Sequence, residues 1–78
     1  MMGAPTEAKP AADLDQDGQN AKAFAIANTA ALNENSELES FKTQVVQGAK
    51  YYFKFKGHDK EVIVWSKPWE NFHQICDE

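Results

Sequence analysis

The sequence predicts an α+β domain in which one helix packs on a four- to five-stranded antiparallel sheet. Three observations lead there. An alanine-rich stretch over residues 19–32 has helical spacing, residues 49–56 alternate with a period of two, and Gly, Pro and Asn punctuate the chain between short apolar runs. At 78 residues the chain suits one domain, expected over residues 1–78, with a core of modest size.

Residues 1–16 contain Pro5 and Pro10, are rich in alanine and show no periodicity. They read as an extended N-terminal arm. From Gln19 to Leu32 alanine, the strongest helix former, dominates. Ala21, Phe24 or Ala25, Asn28 and Leu32 share one face, Asp17 and Asn20 are both plausible N-caps, and Asn33, Asn35 and Ser36 end the helix. A helix so short needs tertiary packing, for which Phe24, Ile26 and Leu32 are the expected anchors.

The remainder reads as strands. Glu37 to Gln47 places Phe41, Thr43 and Val45 on alternate positions. Ala49 to Lys56 sets Tyr51, Phe53 and Phe55 on one face and Tyr52, Lys54 and Lys56 on the other, the pattern of a half-buried antiparallel strand. Gly57-His58-Asp59 marks a turn, Glu61 to Ser66 forms a β-branched and aromatic run, Pro68 breaks it, and Asn71 to Cys76 supplies a last short strand.

Composition narrows the function. The net charge of −4 comes from 12 acidic residues against 8 lysines, with no arginine, which argues against nucleic-acid binding. The lysines at Lys50, Lys54, Lys56 and Lys60 read as the solvated face of a strand pair. Cys76 is the one cysteine, so an internal disulfide is impossible and a reducing compartment fits. No window is long and apolar enough for a membrane span, and the start of the chain lacks the basic flank and apolar stretch of a signal peptide. A cytoplasmic protein without membrane contact is expected.

Two candidate chemistries fall away. Asp13-Leu14-Asp15-Gln16-Asp17-Gly18 imitates the first half of an EF-hand loop, but the twelfth position, where a bidentate Glu is required, is Phe24. An acidic helix cap is the simpler reading, and no metal or cofactor is expected. His73 and Cys76, three apart on a strand, point to opposite faces, so they do not form a nucleophile–base pair; no catalytic residue is expected and the chain does not read as an enzyme.

The informative segments are two apolar tips. Gln44-Val45-Val46-Gln47-Gly48 lies between two expected strands, with adjacent valines where a hairpin usually carries polar residues and with Gly48 able to adopt positive φ. Lys67-Pro68-Trp69 lies between the next pair but one. Alternate hairpins of a meander fall at the same end, so both tips should be neighbours, a pattern that fits either a binding surface or residues folded back on the core.

Gln44-Val45-Val46-Gln47-Gly48 resembles the Gln-x-Val-x-Gly first binding loop of the cystatins, and Pro68-Trp69 resembles their second loop. The start of the chain, Met1 to Ala11, is similar to the N-terminal trunk of the stefins. Ala23-Phe24-Ala25-Ile26 and Val64 to Phe72 look more like plant cystatins. The resemblance spans essentially the whole chain in the right order. It implies a cystatin-like fold and reversible, competitive inhibition of papain-like cysteine proteases such as papain and cathepsins of the L, B and H types. It assigns protease binding to Gly3, to Gln44, Val45, Val46, Gln47 and Gly48, and to Pro68 and Trp69. A monomer is implied, with a strand-exchanged, domain-swapped dimer as a second state. The alternative is the same fold used as a non-inhibitory binding module or an engineered scaffold.

Overall fold

The computed structural model describes residues 7–76. Its elements are β1 (Lys9–Pro10), a 3-10 turn (Ala11–Asp13), α1 (Gln16–Asn28), β2 (Leu38–Val46), β3 (Gly48–Phe55), β4 (Val62–Lys67), a second 3-10 turn (Pro68–Glu70) and β5 (Phe72–Cys76). The strands form one antiparallel sheet in sequence order, β1-β2-β3-β4-β5, and α1 packs across one face of it, chiefly on β4. This is the α+β, cystatin-like arrangement that the sequence implied.

The helix starts and stops earlier than its alanine content suggested. Asp15, rather than Asp17 or Asn20, is the N-cap, its carboxylate accepting the Gly18 N–H at 2.7 Å. Thr29 is extended and closes the helix at Asn28, so Leu32 lies beyond it, yet Leu32 is buried in the core. Within the helix the fully buried side chains are Ala21 and Ala25, while Phe24 and Ile26 are only partly covered. Small residues let the helix lie close to the sheet, so its larger side chains flank the contact instead of filling it. Gly18 meets the same constraint, since a Cβ there would collide with the Leu14 side chain.

The segment expected to be an extended arm is docked from Lys9 onward. Lys9 and Pro10 pair with Phe41 and Ser40, the next residues form the first 3-10 turn, and Leu14 is buried. Pro10 fits because it stands on an edge strand, where a missing N–H costs little.

The sheet face under the helix is the core. Tyr51, Phe53 and Phe55 point there from β3, Val62 and Val64 from β4, and Phe41 from β2, as alternation requires. A register shift between Leu38 and Ser40 adds one residue to β2, which turns both Leu38 and Phe41 inward although they are three apart. Tyr52 lies on the opposite face, expected to be solvated, but it is buried: it pairs with Ile63, Lys42 Nζ stands 5.9 Å from its ring centre, and its hydroxyl donates to Gln44 Oε1 at 2.6 Å. Lys42 also pairs with Glu61 at 3.2 Å. Among the described residues no helix is long and apolar enough to cross a membrane.

Candidate functional site

The two apolar tips lie side by side at one end of the sheet. β2 ends at Val46, close to the Gln47 expected, so most of the first tip is strand: Gln44, Val45 and Val46 pair with Lys50, Ala49 and Gly48, which leaves Gln47 alone at the turn. So sharp a reversal needs an unusual backbone, and Gly48 supplies it with φ +98°. A Cβ at Gly48 would run into the carbonyl oxygen of Ser66 and crowd the Lys67 stem. The glycine is therefore what allows the first tip to lie against the end of β4, immediately before Pro68.

The second tip is a 3-10 turn over Pro68–Glu70, closed by Asn71 in the left-handed region (φ 51°) with its N–H donated to the Pro68 carbonyl at 3.2 Å. Proline suits the start of such a turn, and asparagine tolerates its left-handed end. Trp69 projects outward, its indole N–H donated to Glu70 Oε2 at 3.0 Å.

Exposure separates these tips from the rest of the surface. Among the described residues the exposed large hydrophobic side chains are Val45, at 67%, and Trp69, at 62%. Val45 shares the parity of the buried Phe41 in β2 yet is exposed, so parity alone does not bring cover. Of the other expected binding residues, Val46 and Gly48 are partly buried and Gln47 and Pro68 are exposed. Gln44 is held through its side chain by Tyr52. Gly3 lies outside the described residues.

A polar network that sequence reading missed fastens both tips to the helix. Ser66, fully buried, donates its hydroxyl to the Asp17 carboxylate at 3.0 and 3.2 Å. Tyr51 donates to Asp17 Oδ2 at 2.9 Å and to Asp15 Oδ1 at 3.3 Å. Burial, reinforced by hydrogen bonds to the Asp17 and Asp15 carboxylates and by their charge, pushes the Tyr51 phenol above its ordinary value, so it remains a donor. Asp17 thus serves less as a cap than as a bridge between the first helical turn and two strands. Its acidic position was visible in the sequence; its partners, 34 and 49 residues away, were not.

On the outer sheet face Trp65 and Phe72 meet edge to face at 5.6 Å, and Lys67 Nζ lies 4.3 Å from the Trp65 ring centre. An open groove of about 600 Å³ runs beside them, with Val46, Gln47, Lys50 and Cys76 among its walls. His73 lies on the other face, stacked on Phe24 at 5.4 Å, so it and Cys76 are not aligned as base and nucleophile. The arrangement offers a ridge of apolar tips backed by a rigid frame, which is suited to docking.

Against known proteins, the chain is 47% identical over 45 residues to Cystatin-1 of Zea mays. The match supports a relation to the cystatins. It takes in 50% of this chain and 33% of the maize protein, so the chain spans about a third of the length of that relative. No family model and no solved structure matches the chain.

Proposed function

We propose that the chain is a reversible, competitive inhibitor of papain-like cysteine proteases and not an enzyme. In this reading the tips at Gln44–Gly48 and Pro68–Trp69 fill the primed side of the active-site cleft, and the N-terminal trunk around Gly3 lies along the unprimed side. The observation that supports it most directly is the exposure of Val45, near the end of β2, and of Trp69, in the turn after β4, at one end of the sheet. Apolar groups exposed together at one edge of a monomeric fold often mark a site where a partner docks. The relation to a cystatin supplies the kind of partner.

The mechanism is occlusion. Val45 and Val46 present apolar area with little rotamer freedom to lose, and Trp69 is the type of side chain that dominates interface energetics. Gly48 keeps the first tip slim enough for its backbone to approach a cleft wall. No bond to the catalytic cysteine of the protease is formed or broken. The proposed setting is the cytoplasm, where Cys76 stays reduced, and the proposed active form is the monomer, since exchange of strands through the first tip would consume the binding residues.

Titration of papain and a cathepsin L-type enzyme with the purified chain tests this. Competitive, reversible inhibition that Gly48→Glu abolishes is the expected result. A folded monomer that leaves both enzymes active at micromolar concentration would favour a non-inhibitory binding module built on the same tips.

A further inference from the structure

The tip of the β2–β3 hairpin is held by a strand that does not belong to that hairpin. The carbonyl oxygen of Gln47 accepts the indole N–H of Trp65, on β4, at 2.8 Å. A carbonyl at an exposed turn otherwise turns to water, which satisfies it without fixing its direction. Here the donor is itself fixed. Trp65 pairs with Lys50 on one side and Gln74 on the other, so its backbone lies between two strands. The Phe72 ring meets the indole at an interplanar angle of 78°, and the Lys67 ammonium lies over its face. These edge-to-face and cation–π contacts orient the ring and aim its N–H at the tip.

We infer that Trp65 is a positioning residue for the first tip. By donating to the Gln47 carbonyl it holds the Val45–Gly48 backbone in one shape before any partner arrives, without itself entering the cleft. The inference deepens the inhibitor reading above and rests on it for its consequence: a pre-ordered tip has less freedom to lose on docking and so dissociates more slowly.

Trp65→Phe keeps an aromatic ring beside Phe72 and Lys67 and removes the donor together with the small ring that carries it, so the melting temperature is read beside the kinetics. Three measurements on the native chain and this variant decide the matter: papain inhibition kinetics, thermal melting, and hydrogen exchange at the Gln47 and Gly48 amides. A melting temperature within about 5 °C of native, faster amide exchange at the tip, and a dissociation constant for papain raised by about 3- to 10-fold through faster dissociation are expected, the size of one net hydrogen bond. In the native chain, the Trp65 indole proton, donated to a main-chain carbonyl, should also exchange more slowly than that of Trp69, donated to the neighbouring Glu70 carboxylate from an exposed ring, a comparison that needs no variant. Equal exchange of the two indole protons overturns the inference, as do unchanged tip amides with unchanged inhibition in Trp65→Phe. If the native chain leaves papain active, the inhibitor reading alone fails, and the indole and amide data still decide whether Trp65 holds the tip.

Discussion

Asp17 and Ser66, 49 residues apart, are joined by a hydroxyl that reaches both carboxylate oxygens, at 3.0 and 3.2 Å. The bond ties the first turn of the helix to the strand that ends at Pro68. Because Ser66 also lies against Gly48, the same point of attachment serves both tips. The frame behind the candidate site is therefore polar and specific, whereas the tips it carries are apolar.

Ser66→Ala should cost about 1.5–3 kcal/mol, because it removes a hydrogen bond to a charged group at a fully buried position. In a domain of this size that lowers the melting temperature by roughly 6–24 °C. A double-mutant cycle with Asp17→Ala, followed by circular dichroism, checks the assignment. Additive effects would show that the two side chains do not act together.

Tyr51 predicts a dependence on alkaline pH. Its phenol is raised above the ordinary tyrosine value of about 10 by burial and by the Asp17 and Asp15 carboxylates. Below that value the phenol is protonated in both folded and unfolded states, and pH does not act through it. Above it the unfolded chain releases the proton first, so stability falls with rising pH until the native phenol also ionises. Tyr51→Phe should be less stable near neutral pH by about 1.5–3 kcal/mol, through the lost hydrogen bonds to the two carboxylates, yet show a shallower loss above pH about 10. Urea titrations of both chains between neutral and alkaline pH measure the difference in slope.

Gly48→Ala tests the backbone at the first tip. With φ at +98° and the Ser66 carbonyl in the way, even a methyl group must displace main chain. A loss of about 1–3 kcal/mol is expected in denaturant unfolding, together with weaker papain inhibition. A variant as stable and as inhibitory as the native chain would show that the tip can be remade without strain.

Trp69→Ala separates function from stability. The side chain is 62% exposed, so its removal should leave the melting temperature nearly unchanged. Papain inhibition should weaken by about 2 kcal/mol or more, roughly 30-fold. Equal inhibition by both chains would place the second tip outside the interface.

Ala25→Leu addresses the close approach of helix and sheet. Ala25 is fully buried, and three added carbon atoms have no space there. Overpacking of about 1–3 kcal/mol is expected from thermal or urea unfolding. A neutral result would mean that the helix can lift from the sheet at little cost.

The sequence by itself located the helix, the four longer strands and the two apolar tips between them. Alternation at Tyr51, Phe53 and Phe55 fixed the core face of the central strand, because a period of two sends alternate side chains to opposite sides of a sheet. Gly57 and Pro68 located the breaks because their backbones are restricted or freed by covalent structure alone. The adjacent valines and Trp69 marked the tips because large apolar residues are unexpected at turns. Tertiary structure alone decided the rest. That Asp15 caps the helix and frees Asp17 for Ser66 and Tyr51 depends on partners distant in sequence. That Ala21 and Ala25 carry the helix contact, rather than Phe24 and Ile26, depends on how near the sheet comes. That Lys9 and Pro10 add a strand depends on an open edge at Ser40 and Phe41. Periodicity and turn chemistry act over a few residues and are written locally; hydrogen bonds and packing between distant segments exist only once the chain has brought them together.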